Sequence, residues 1–300
     1  MDLRDARAME LAAQPLRTAG SRTGLFRGFA SSIKDIWGHR ELLDLLIKRE
    51  VKARYKDSAL GFVWSLMRPL AMLLIYYIAL GKFLGAARDI PDFAIFIYTG
   101  LTAWGLFSEA VSTGTASIVQ NAGLVKKVYL PREIFPLASL GSALFNFAIQ
   151  LAILFAATVA AGHVPSGVRW GYLPLALAVI VVTALGWALL LAAVNVYLRD
   201  IQYLVEIALM IAFWASPIVY SWGLVNREVH SETLQSLYLV NPMTAAIMGF
   251  QRTFWVSGDS QPVPENLTGM LWAWLGIGLV FTFIGQRVFA RLQGNFAQEL

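Results

Sequence analysis

Long apolar runs with almost no charge recur along this chain, and such runs restrict what it can fold into. Crossing a bilayer as α-helix takes about 20 residues. Inside hydrocarbon, each backbone amide must find its partner within the segment or a closed barrel. Six stretches are long enough: Leu60–Leu84, Phe93–Ile118, Phe135–Gly162, Tyr172–Tyr197, Tyr203–Trp222 and Leu267–Phe289. They are continuous rather than alternating, which argues against a barrel. With 57% hydrophobic and 14% charged residues over 300 positions, charges are too few to cover a soluble surface. The expectation is an all-α polytopic membrane protein with six transmembrane helices.

The basic residues orient it. Twelve of the 24 Lys and Arg precede Leu60. Six spans put eighteen of them on one face and five on the other, with Arg68 in the first span. Positive charge concentrates in cytoplasmic segments, so both termini are expected inside, near anionic lipid. These residues flank a span rather than form a separate domain, so nucleic acid is not an expected partner. There is no cysteine, which excludes disulfides and thiolate metal sites. His39, His163 and His230 are far apart and give no metal-ligand spacing.

Residues 1–32 alternate Arg with Ala, Gly and Ser and carry no signal-peptide core, so they are expected to form a flexible cytosolic tail. Residues 33–59 change character. Ile33, Ile36, Trp37, Leu43, Ile47, Val51 and Tyr55 recur at three- and four-residue steps among Lys and Asp. That pattern predicts an amphipathic helix lying in the membrane interface. Residues 60–292 would then be the six-span domain.

Two connections stand out. Asn121–Pro136 is basic and broken by proline, so it belongs in water, with a short helix over Asn121–Leu130. Ser221–Asn266 is too long for a plain outer loop. Its apolar pattern breaks at Asn241–Pro242 and predicts two short helices, about 231–256, dipping back from the outer surface. An amphipathic surface helix is the alternative there. In the second span, Ser108, Ser112, Thr113, Gly114, Thr115 and Ser117 predict close helix approach with hydroxyls bonding across the contact.

Four stretches carry a family resemblance: IKREVKARYKDSALGFVWSLMRPL (Ile47–Leu70), NAGLVKKVYLPREIFP (Asn121–Pro136), VNVYLRDIQYLV with FWASPIVY (Val194–Val205 and Phe213–Tyr220), and LVNPMTAAIMGFQR (Leu239–Arg252). They resemble the membrane subunits of bacterial ABC type-2 permeases that export polysaccharides such as O-antigen and teichoic acid. The likeness covers most of the chain from Glu41 to Phe289. It implies a homodimer in the plasma (inner) membrane, two copies of a separate ABC ATPase, and a glycan on polyprenyl diphosphate as cargo. It also implies that Arg49, Lys126, Lys127, Tyr129, Pro131, Arg132 and Glu133 meet the ATPase, through a coupling helix at about 121–133. Asn241, Pro242 and Phe250 would belong to an outer gate, and the first and fifth spans would line the path.

Aromatic faces stack on sugar C–H surfaces and tolerate sliding. The channel candidates are Tyr76, Tyr77, Tyr98, Trp104, Phe213, Trp214, Tyr220 and Trp222. Tyr and Trp also serve as interfacial anchors, so the same residues have a second reading. Arg68 either reaches back to the headgroups or meets the cargo diphosphate. No phosphate loop of the form G-x-x-x-x-G-K-[ST] occurs, and the spans hold no chain of acids suited to proton relay. The chain is therefore expected to be no enzyme and to carry no cofactor, with ATP and Mg held by the partner. The rival functions are an ABC type-2 permease for a drug or small lipid, and a membrane-embedded glycosyl- or acyltransferase. The last would need an acid–base pair or metal ligands at a membrane face.

Overall fold

A computed structural model describes residues 25–55, 61–128 and 130–300, and all regular structure among them is helical. The chain begins with α1 (Leu25–Gly38) and α2 (Arg40–Tyr55). One helix was predicted from Ile33 onward. The break falls at Gly38, where a glycine suits a helix end, and the His39 ring lies 2.7 Å from the Asp35 carbonyl. Helix α3 (Gly61–Tyr76) contains Pro69 and widens into a π-helix over Tyr77–Phe83. Left-handed Gly85 ends it before a single turn, Ala86–Asp89.

Then come α4 (Phe93–Gln120), α5 (Ala122–Lys127), α6 (Ile134–Ala160), α7 (Tyr172–Tyr197) and α8 (Ile201–Trp214). Helix α5 is shorter than predicted because Val128 is already extended and Pro131 disfavours helical backbone at Leu130. Helix α8 stops at Trp214, well before the predicted end at Trp222, since Ser216 precedes Pro217. Three short helices follow: α9 (Trp222–Glu228), α10 (Glu232–Leu239) and α11 (Pro242–Phe254). The last long helix is α12 (Leu267–Leu292), and a final turn covers Phe296–Glu299.

Among the described residues, four helices are long and apolar enough to cross a membrane: α4, α6, α7 and α12. The predicted first and fifth spans appear as shorter apolar helices, Pro69–Phe83 and Ile201–Trp214.

Helix α7 is the hub. It packs along α4, α12 and α11. Close approach needs small residues. A Cβ on Gly114 of α4 would come within 2.6 Å of the Ala188 methyl, and one on Gly285 of α12 within 2.7 Å of the Gly186 carbonyl. The serines and threonines of α4 do not bond across this contact as predicted. Thr113, Thr115 and Ser117 donate back to the carbonyls of Glu109, Val111 and Gly114 in their own helix. The crossing bonds come from elsewhere: Asn195 donates to the Thr115 carbonyl at 3.2 Å, and Thr282 to that of Val182 at 2.7 Å.

Candidate functional site

The antiparallel helices bring Asn121, Glu133 and the start of α2 to one end of the molecule and Asp92, His163 and Ser257 to the other. At the first end, Leu46 of α2 and Val125 of α5 are buried in one apolar cluster with Ile134, Phe135 and Phe296. Ile47 fills the space over Gly141 of α6. Arg49 donates to the Asn121 side-chain oxygen at 2.6 Å, and Asn121 in turn donates to the Ser117 carbonyl at 2.8 Å. Two predicted coupling pieces, α2 and the 121–133 stretch, are thus joined directly.

The charges in that stretch diverge. Lys126 and Lys127 are exposed at the end of α5, and Pro131 is partly covered. The Arg132 guanidinium lies 5.7 Å from the centre of the Phe296 ring. Glu133 is only 3% exposed, so the expectation that the whole stretch stands in water does not hold for it. Burial pushes its carboxyl above the ordinary value. A hydrogen bond from Gln286 and the charge of Arg287 pull the other way, and the charge of Asp35 adds to the rise. Tyr129 and the side chain of Arg68 lie outside the described residues.

The aromatic candidates fall into groups. Phe213 of α8 stacks on Tyr76 of α3 (6.0 Å between centroids) and meets Trp104 of α4 edge-on at 5.9 Å. Trp214 packs edge-on against Phe213. This seam joins the predicted first, second and fifth spans. Tyr220 and Trp222 form a second group around Tyr238 of α10, at 6.4 and 5.9 Å. Tyr77 sits beneath the Lys82 ammonium, 5.7 Å away. Tyr98 stands apart, buried among the core residues of α4.

At the far end, Asn241 caps α11. Its side-chain oxygen accepts from the Met243 amide at 2.9 Å, and Pro242 takes the first helical position. The same side chain donates to the Ser216 hydroxyl at 2.9 Å, which ties α11 to the chain leaving α8. Helix α11 is no surface helix: Phe250 is fully buried and meets Phe147 edge-on at 5.8 Å. Helix α10 differs, with Leu234 and Leu237 exposed, as is Val240 just beyond its end.

The outer segments carry Asp89, Asp92, Glu228, Glu232, Asp259 and Glu265, whose sequence positions suggest no organised pairing. The structure gives two of them, Asp92 and Asp259, side-chain partners on other segments. Asp92, in a left-handed conformation at the start of α4, contacts His163 Nδ1 at 2.6 Å and accepts from the Ser257 hydroxyl. Asp259 takes Arg169 and Arg252 together. Ser257 and Asp92 both meet the same ring nitrogen of His163. A nucleophilic serine needs the base on one nitrogen and its orienting acid on the other. The arrangement therefore joins three segments rather than activating a hydroxyl, and it lends nothing to a transferase. Among the described residues no three His, Cys, Asp or Glu side chains group as metal ligands. Most of these outer contacts were not visible in the sequence, because their members are far apart: 71 positions for Asp92–His163, 90 for Arg169–Asp259 and 165 for Asp92–Ser257, with only Arg252–Asp259 close, at 7.

Known proteins bear on the assignment. The chain is similar to the O-antigen export system permease protein RfbA of Myxococcus xanthus, 28% identical over 273 residues that cover 89% of this chain and 98% of the relative. A permease of the same description from Klebsiella pneumoniae is 25% identical over 87% of this chain and 95% of its own length. The polysialic acid transport protein KpsM of Escherichia coli is 23% identical over 64% of this chain and 74% of its own. A family model described as ABC-2 type transporter matches residues 41–255, well over half of the sequence, and the chain belongs to that family of membrane permeases.

Proposed function

We propose that this protein is the membrane-crossing subunit of an ATP-driven exporter that carries a lipid-linked polysaccharide across the bacterial inner membrane. The observation that carries this reading is near-complete coverage of relatives named for O-antigen export. A further relative is named for polysialic acid transport, so the names agree on polysaccharide rather than on a drug or small lipid. In this reading the chain has six spans with both ends in the cytoplasm, α3 and α8 supplying the two that are short here. It works as a homodimer with two copies of a separate ATPase, which binds ATP and Mg. The Arg49–Asn121 bond supports a joint docking surface made of α2 and the 121–133 stretch. Lys126, Lys127, Tyr129, Pro131 and Arg132 would offer it to the ATPase. The Tyr76–Trp104–Phe213 seam supports a path beside α3 and α8, with Arg68 at its inner mouth.

The test is depletion of the protein in its native cell. Lipid-linked glycan should accumulate on the inner face, and the chain should co-purify with an ATPase. If glycan reaches the outside at the normal rate, or if the isolated chain hydrolyses ATP alone, the reading is wrong.

A further inference from the structure

A buried amide near the end of a long apolar helix needs partners, because an unmet polar group there costs free energy. Gln286 of α12 is such a residue, 4% exposed. Its amide donates to the Ser32 hydroxyl of α1 at 2.9 Å and lies 3.4 Å from a carboxyl oxygen of Glu133. Its carbonyl oxygen accepts from Arg287 Nε at 2.7 Å. One side chain therefore bridges α1, the Arg132–Glu133 turn and α12. The neighbouring residue of the turn makes a parallel connection. Arg132 lies over Phe296, whose fully buried ring packs edge-on on Phe289 of α12 at 5.4 Å. Tyr197 of α7 closes the group by donating to the Leu292 carbonyl at 2.8 Å. Both residues of the turn are thus fastened to the last helix or its tail.

We propose that Gln286 is a positioning residue of the coupling step. It fixes the Arg132–Glu133 turn to α12 and α1, so that a push on the turn moves the last membrane helix. From α12 the movement passes to α7, because Gly285 and Gly186 hold the two backbones in contact and leave little slack. The inference rests on the reading of residues 121–133 as the surface that meets an ATPase. It adds a route that runs through α12.

The experiment uses the complete permease–ATPase complex in vesicles. It measures complex yield, ATP hydrolysis and glycan exported per ATP. Gln286→Leu keeps the side chain's bulk and removes the amide. It is expected to leave assembly and hydrolysis near wild type and to lower export per ATP about fivefold to tenfold, the weight of one buried hydrogen bond. Gln286→Asn keeps the amide but draws it back by one carbon, and should shift the ratio the same way. Exchanging the two groups, Glu133→Gln with Gln286→Glu, restores a donor facing an acceptor and should recover most of the lost export. An unchanged ratio in both single variants overturns the proposal. So does an exchange that stays as defective as they are, since lost packing alone would not be rescued. A wild-type complex that neither hydrolyses nor exports would instead strike the underlying ATPase reading.

Discussion

Helices α4 and α8 are both strongly apolar, yet the molecule treats them in opposite ways. Helix α4 buries residues around most of its circumference, from Phe93 to Ile118. Helix α8 buries only Val205 fully, and Tyr203, Leu204, Ile207, Met210 and Ile211 stand exposed. Helix α3 shares this condition, with Met67, Leu70, Leu74 and Ile75 exposed. Apolar area of this extent on a lone chain calls for lipid or another apolar partner. The contrast separates a tightly packed group, which would move as one body, from two loosely packed helices. Helices α4, α7 and α12 approach closely at glycines, Gly114 against the Ala188 methyl and Gly285 against the Gly186 backbone. Helices α3 and α8 meet each other and α4 through the aromatic side chains of Tyr76, Trp104 and Phe213.

The largest effect should come from attacking the tightly packed group. Gly285→Leu sets a side chain against the Gly186 backbone, which cannot yield as a flexible side chain does. Overpacking of this kind costs roughly 1–3 kcal/mol and occasionally more, and here the obstacle is backbone. The expected result is a large fall in folded yield and in melting temperature in detergent. The matched change on the loosely held helix, Met210→Ala, removes a side chain that is 61% exposed. It should shift stability by no more than about 0.5 kcal/mol. Equal effects from the two variants would remove the distinction between tightly and loosely packed helices.

A smaller effect should follow from opening the seam. Phe213 touches both Tyr76 and Trp104, and each aromatic pair contributes about 0.5–1.5 kcal/mol beyond its buried area. Phe213→Ala should therefore destabilise by about 1–3 kcal/mol, less than the glycine variant. Phe213→Tyr, which keeps the ring, should retain most of that. The sequence has no cysteine, so single cysteines placed on α3 and α8 can report the separation by cross-linking without background. Faster cross-linking changes at the seam than at the Gly285 contact would sharpen the comparison.

The sequence showed some of this and hid the rest, for identifiable reasons. Helix α7 was predicted from Tyr172 to Tyr197 and observed with those ends, because apolar sequence begins after Gly171 and stops before Leu198–Asp200. The Asn241–Pro242 break was legible because a cap residue followed by proline is a local signal. The end of α8 was misplaced because hydropathy continues through Pro217 although the helix does not. The aromatic residue types of the seam were legible, but their meeting was not. Glu133 was read as a solvent charge because its cover is long-range: Gln286 lies 153 positions away. The whole coupling role remains a matter for the variants above, while the buried state of Glu133 has a test of its own.

That test is the smallest of the set, since Gln286 and Arg287 offset part of what burial does. A carboxyl held above its ordinary value binds protons more tightly in the folded chain than in the unfolded one. Its contribution to stability is complete below the unfolded value of 4.5 and declines as pH rises from there to the folded value. Glu133→Gln cannot titrate, so it escapes that decline. Melting temperatures of the two proteins in detergent should run nearly parallel below pH 4.5, and the gap should then move in favour of the glutamine variant as pH increases. Asp35 strengthens the trend and Arg287 weakens it, so Asp35→Asn should reduce the slope. Gln286→Leu removes one of the bonds favouring the ionised form, so it should carry the decline to higher pH. A constant gap across the range would mean that the carboxyl is solvated after all, and the contrast between Glu133 and the exposed Lys126 and Lys127 would vanish with it.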